Sequence, residues 1–331
     1  MGDVAMTVPV LRALVLQHPD VKITMVSRPF FQPFFKGIPN VNFFGVDLNR
    51  RHKGFLGLLR LFFDLRKLEV DLVADLHNVL RSKVVRTLFA LSGKKVAATD
   101  KGRAEKKAIT RLTHKVIAPL KSMVERHLDT FKQLGFSIDV THPKFPEKAV
   151  LSKEIISFTG TKNKNWIGIA PFAQYESKVY PTDLMQQVVD DLAKNKNVKI
   201  FLFGGGATEI QKLNQLQNNH ENVMVVAGKL SFEAEIQLIS NLDVMLSMDS
   251  GNSHIAAMLG VKVITLWGAT HPYAGFKPFN QPDAFCLTAD RTQYPLLPTS
   301  IYGNKKVKGY DEVMRTILPS QVIEKINSNL T

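Results

Sequence analysis

Apolar positions along the chain change their spacing again and again. Val4, Val8, Leu11, Leu14 and Val15 recur at helical spacing over Val4–Gln17. Val21–Ser27 then alternates like a strand, and Val41–Val46 is a second strand candidate. Phe55–Leu68 reads as an amphipathic helix bearing Arg60, Arg66 and Lys67. Asp71–Leu76 has the apolar run of a buried strand, and Arg81–Leu91 predicts a helix stopped by Gly93. Lys95–Ala98 is another short strand, Lys101–Lys115 a basic surface stretch, and Glu125–Leu134 a helix ending at Gly135.

A segment with Pro and Lys, Thr141–Lys148, interrupts this pattern. Beyond it the alternation restarts. Strands are expected over Trp166–Ala170, Lys199–Phe203, Val223–Ala227, Asp243–Ser247 and Val261–Trp267. Helices are expected over Thr182–Asn195, Ala207–Gln217, Ser231–Ser240 and Asn252–Leu259. Strands alternating with helices imply parallel sheets covered on both faces. The 331 residues therefore divide into two doubly wound α/β domains, 1–148 and 149–331. Ligands of such folds sit at the carboxyl ends of the strands.

Composition adds three limits. Apolar residues make up 45% and charged residues 22% of the chain, which excludes a disordered or fibrous protein. One cysteine, Cys286, excludes an internal disulfide framework. No stretch is apolar enough to span a bilayer, and no signal peptide opens the chain, so a cytoplasmic protein is expected.

Charge separates the halves. Residues 1–150 hold 26 Lys and Arg against 13 Asp and Glu; the remainder holds 17 against 16. A basic half beside a neutral half points to different ligands, with an anionic membrane face or an acidic acceptor ahead of nucleic acid. No zinc-finger spacing, RNA-recognition motif or basic zipper is present.

Four motifs can carry chemistry. Asp249-Ser250-Gly251-Asn252-Ser253-His254 joins a strand to a helix. First-turn N–H groups there favour an anion, and the plainer alternative is that Asp249 or Ser250 only caps the helix. Gly204-Gly205-Gly206 and Glu209 form a second strand-to-helix turn. Glu209 there can meet a ribose or simply favour the helix start. Lys178 follows the strand Trp166–Ala170, where it can neutralise a phosphate or stay solvated. Asp3 opens the chain as a helix-start acid or a general base. No D-x-D pair, phosphate-binding Gly-rich Lys loop, nucleophile elbow or zinc-protease motif occurs.

Together these segments resemble glycosyltransferase family 9, the lipopolysaccharide heptosyltransferases. The stretches are Gly2-Asp3-Val4 with Thr7-Val8-Pro9, Asp71–Ser82, Phe203–Glu209, and Asp249–Ala257 followed by Leu266–Pro272. The resemblance implies a GT-B fold: two doubly wound Rossmann-like domains facing across a cleft, acceptor in the first and nucleotide sugar in the second. It allows the C-terminal helix to pack back on the first domain. It makes Asp3 the general base of a metal-independent, inverting transfer. Lys178, Gly205, Glu209, Asp249, Ser250, Gly251 and His254 become donor-binding residues. Arg81, Lys101 and Arg103 are then expected to hold an anionic lipopolysaccharide-core acceptor at the inner membrane face. The implied donor is a nucleotide sugar, ADP-heptose first, with no further cofactor, no metal and no nucleic acid. Phe55–Lys67 is a candidate membrane-facing surface or a core helix.

Two departures stand out. Lys178-Val179-Tyr180-Pro181 lacks the tryptophan that usually precedes the family's proline, which leaves the sugar open. The family's first β-strand, ahead of Gly-Asp, has no counterpart, so its neighbours are expected to be unpaired and Asp3 to sit at a frayed end. Met1 is then expected to be an internal residue of a longer protein. The alternatives are a non-catalytic nucleotide-sugar-binding module, another nucleotide-sugar enzyme of the same architecture such as an epimerase, and a nucleic-acid binder argued from charge alone.

Overall fold

The computed structural model describes residues 1–330. The chain forms two compact units. The first holds Met1, 3–102 and 121–144; the second holds Gly2, 103–120 and 145–330.

The first unit opens on α1 (Gly2–Ala5) and α2 (Val8–Gln17). One helix was expected here. Pro9 explains the break: it has no N–H to donate and its ring crowds the carbonyl four residues back. Then follow β1 (Ile23–Ser27), β2 (Val41–Gly45), α3 (Gly54–Arg66), β3 (Leu72–Asp75), α4 (Leu80–Leu91) and β4 (Lys95–Ala98). β1 pairs with β2 and β3 with β4, both in parallel, as two separate two-stranded sheets. Each strand thus has one partner. α3 and α4 build one apolar layer from Leu58, Leu61, Phe62, Leu65, Val85 and Phe89. Val26, Phe44, Val73 and Val96, one from each strand, pack against that layer. Alternation sends the intervening residues the other way. There α6 (Met123–Leu134) covers β3 and β4, and α2 packs on α6. Ser122 caps α6 by accepting from the Glu125 N–H, and Glu125 accepts the Ser122 N–H in return.

The segment 103–120 lies with the second unit rather than the first. It contains α5 (Arg103–Ile109). Lys106 of α5 is only 4% exposed and stands 4.2 Å from the centre of the Phe276 ring. Lys115 donates to the carbonyls of Leu296 and Pro298, and the Leu120 N–H donates to Tyr273. The stretch expected as plain basic surface is therefore anchored by its lysines.

The second unit continues through α7 (Lys153–Thr159), β5 (Asn165–Ala170), α8 (Thr182–Ala193), β6 (Val198–Leu202), α9 (Ala207–Gln217), β7 (Val223–Val225), α10 (Phe232–Ser240), β8 (Val244–Met248), α11 (Gly251–Met258), β9 (Lys262–Trp267), β10 (Cys286–Thr288) and α12 (Pro319–Asn327). One six-stranded sheet runs β10-β9-β8-β5-β6-β7, with every neighbour parallel. Ile167 stands opposite both Ile200 and Val244. Every residue of β8, and all of β5 after Asn165, is buried. Strands covered on both faces call for near-continuous apolar sequence, and the buried Ser247 is the one polar residue of β8. α12 packs on α8, and its Val322 and Ile326 join this unit's core.

Candidate functional site

Strand order assembles the site in the second unit. The chain lays down β5, β6 and β7 in one direction, then returns to place β8 on the other side of β5. The loops after β8, β5 and β6 therefore emerge side by side at one end of the sheet. Where the order reverses, the two departing loops diverge and leave a crevice.

Lys178 and Asp249 meet at that reversal. Lys178 ends a single 3₁₀ turn, Glu176–Lys178, after β5; Asp249 follows β8. Lys178 Nζ lies 3.2 Å from Asp249 Oδ2, with the side chains 11% and 9% exposed. The solvated alternative for Lys178 does not hold. Gly303 makes room for it: an added Cβ would stand 2.7 Å from Lys178 Cγ, and φ is +85°. Ser177 Oγ donates to the Gly303 carbonyl at 2.7 Å, and the Gly303 N–H donates to Ser300 Oγ at 2.9 Å. Neither Gly303 nor Ser300 is marked by the sequence, because more than a hundred residues separate them from Lys178.

α11 starts beside this pair. Ser250 occupies the cap position in extended conformation, yet its side chain makes no capping hydrogen bond. Its hydroxyl lies 3.1 Å from Ser247 Oγ instead. Asp249 is engaged by Lys178, and the first-turn N–H groups receive no cap from Ser250. Such groups attract an anion. Gly251 is the first residue of α11, and His254 is buried in its first turn.

The β6 loop adds Glu209, in the first turn of α9. Its Oε2 accepts the Gly205 N–H at 2.8 Å, which ties the carboxylate to the glycine turn. A Cβ added at Gly205 would meet nothing within 4 Å, so the turn presents open backbone.

The first unit gathers a different set. Asp3 lies in α1, where the Val4 N–H donates to the Met1 carbonyl. It is held in a helical turn rather than frayed, with its side chain 65% exposed. His77 Nε2 stands 4.0 Å from Asp3 Oδ2. Sequence reasoning did not single out His77, although it lies in the quoted Asp71–Ser82 stretch. Burial lowers its pKa more than Asp3 raises it, and Lys101 and Arg81 lower it further. The loop that carries His77 is fixed by Asp75, whose Oδ1 accepts the N–H groups of His77 and Asn78. Arg86 Nη1 holds the other oxygen at 3.1 Å. Arg81 and Lys101 thus share the field of Asp3 and His77. Arg103, expected with them, begins α5 in the segment grouped with the other unit.

Comparison with known proteins agrees with this architecture. The family model for glycosyltransferase family 9 (heptosyltransferase) matches residues 58–300. Lipopolysaccharide heptosyltransferase 3 of Escherichia coli K12 is 27% identical over 284 residues, spanning 81% of this chain and 80% of the relative. The solved glycosyl transferase family 9 structure from Veillonella parvula aligns over 99% of this chain and 94% of its own, with TM-score 0.74 and 19% identity. The E. coli heptosyltransferase WaaC, solved with ADP-2-deoxy-2-fluoro heptose, aligns over 99% and 96%, with TM-score 0.67 and 21% identity. The expected GT-B class is borne out. The match covers most of the chain, and the protein belongs to glycosyltransferase family 9, the heptosyltransferase family.

Proposed function

We propose that this glycosyltransferase moves heptose from ADP-heptose to an anionic lipopolysaccharide-core acceptor, with inversion and without a metal ion. The observation that carries the reading is the Lys178–Asp249 pair beside the uncapped start of α11, at the reversal of strand order. Asp249 holds the ammonium where a diphosphate meets it and the helix-start N–H groups together. The ADP-sugar in the WaaC structure supports the choice of nucleotide. Glu209, tied to Gly205, accepts ribose hydroxyls in this reading.

In the transfer, the Asp3 carboxylate takes the proton from the acceptor hydroxyl as its oxygen bonds to the anomeric carbon. The bond from that carbon to the diphosphate breaks, and the electron pair leaves with ADP. Lys178 and the α11 amides stabilise the negative charge that develops there. Arg81 and Lys101 draw the anionic acceptor toward Asp3. The reaction is assigned to the cytoplasmic face of the inner membrane; among the described residues, no helix is long and apolar enough to cross it.

Calorimetric titration with ADP, UDP and GDP tests the donor. ADP is expected to bind best, and Lys178→Ala to weaken it tenfold or more, by about 1.4 kcal/mol. Equal affinity for all three would reject ADP. Asp3→Asn is expected to bind ADP normally and transfer nothing. Product anomeric configuration read by NMR tests inversion, and turnover in a chelator tests metal independence. The divided sheet of the first unit favours one second reading, donor binding without transfer. Tight ADP binding with no heptosylated product would select it.

A further inference from the structure

A helix on the surface of a globular protein turns its apolar residues to the core and its polar residues to water. α3 departs from that rule. Gly57, Leu58, Leu61, Phe62 and Leu65 are buried, as they should be. The opposite face is also apolar. Phe55, Leu56 and Phe63 are 66%, 70% and 56% exposed. At 3.6 residues per turn they share an arc of about 140° with Leu59, Arg60 and Arg66. The two arginines are the only charged residues in that arc, one near each side.

The charged residues in this arc and directly flanking the helix are all cations. Lys53 precedes the helix and Lys67 follows it, both exposed. The acid of the helix, Asp64, is already bound by Arg51 at 2.8 Å and approached by His52 at 3.2 Å. A two-fold contact between copies of this face would set the same cations against one another. An anionic lipid surface complements both features: it accepts the apolar side chains at the acyl boundary and the cations at the headgroups.

We propose that the outward face of α3 docks on an anionic bilayer, with Phe55, Leu56 and Phe63 inserted and Lys53, Arg60, Arg66 and Lys67 on the headgroups. The helix has 13 residues, too few to span a membrane, so it lies in the interface plane. This surface stands apart from the residues assigned to donor and base, and its test does not depend on them.

The whole protein is sedimented with phosphatidylcholine vesicles, with and without phosphatidylglycerol. Binding is expected to be at least about tenfold tighter with the anionic lipid, since each cation near such a surface contributes roughly fivefold. The triple variant Phe55→Ser, Leu56→Ser, Phe63→Ser is expected to lose at least about tenfold of that binding. Its circular dichroism and ADP titration should match wild type. A variant that sediments like wild type, or a wild type indifferent to the anionic lipid, overturns the proposal. Phe55→Trp gives a reading free of any folding defect. The native Trp166 and Trp267 are each 1% exposed and supply a constant background. A blue shift on anionic vesicles is expected, and unchanged emission overturns the proposal. Light scattering that finds a wild-type dimer and a monomeric triple variant would instead assign the face to a second copy.

Discussion

The two units contain the same kind of strand in different settings. In the second unit, β5 and β8 each lie between two parallel neighbours and are buried nearly throughout. In the first, each strand has one neighbour, and β1 is only half-buried along its whole length. A parallel strand satisfies its backbone only when both edges are paired. The difference extends to the chemistry. Lys178 and Asp249 are fixed by burial, an ion pair and the Gly303 cradle. Asp3 and His77 are both mostly exposed and stand 4.0 Å apart. The proposed donor end is built by the fold, whereas the proposed acceptor end is held mainly by local turns.

The strongest test of that contrast is amide hydrogen exchange. Amides of β5 and β8 are expected to exchange at least a hundredfold more slowly than those of β1 and β3, because local opening costs least where pairing is one-sided. Equal protection would break the comparison. The next effect concerns the cradle. Gly303→Ala brings a Cβ to within 2.7 Å of Lys178 Cγ at a backbone φ of +85°. It is expected to weaken ADP about tenfold or more, through strain and a displaced ammonium. Calorimetry reads it, and unchanged affinity would show that Lys178 does not need its cradle. His77→Ala comes third. Turnover should fall about fivefold at most, the scale of an exposed ion pair, with ADP affinity unaltered.

The sequence made the second unit legible because its signals are local. A short, mostly apolar run between turn signals, such as Val244–Met248, fits a doubly covered strand. The turns that follow β6 and β8 announce themselves by glycines and acids. Two kinds of feature stayed hidden. Pairings across long separations, Lys178 with Asp249 and with Gly303, leave no periodic trace. Short or strained pieces also escape: β10 has three residues, and Pro29–Phe35 winds into a 3₁₀ turn around Pro33. In the first unit, the strands were foreseen, and each pairs with one neighbour. The site there was only half foreseen. Asp3 was named from its motif, while His77 became visible only when the β3 loop folded toward it.

A last prediction uses pH to widen the contrast between the units. In the first, burial pushes the His127 imidazole down to about 4, against the pull of Asp3. The unfolded chain binds that proton below about 6.5, and the folded chain does not until about 4. Stability from this group is therefore lost as pH falls through that window, by at most about 1.4 kcal/mol per pH unit. His77, also lowered, acts in the same direction. In the second unit, His271 is likewise pushed down to about 4 by burial. Glu235 opposes it: burial pushes its carboxyl up to about 7, so acidification through the window from 7 to 4.5 favours the folded form. The two contributions offset in the second unit and have no such counterweight in the first. Lowering the pH from 7 to 5.5, with exchange rates corrected for intrinsic pH dependence, should reduce protection of β3 and α6 while leaving β5 and β8 nearly unchanged. His127→Gln should remove most of that response, because a neutral amide has no proton to gain. Persistence of the full response in that variant would move its source to another group and leave the pH contrast between the units without its assigned cause.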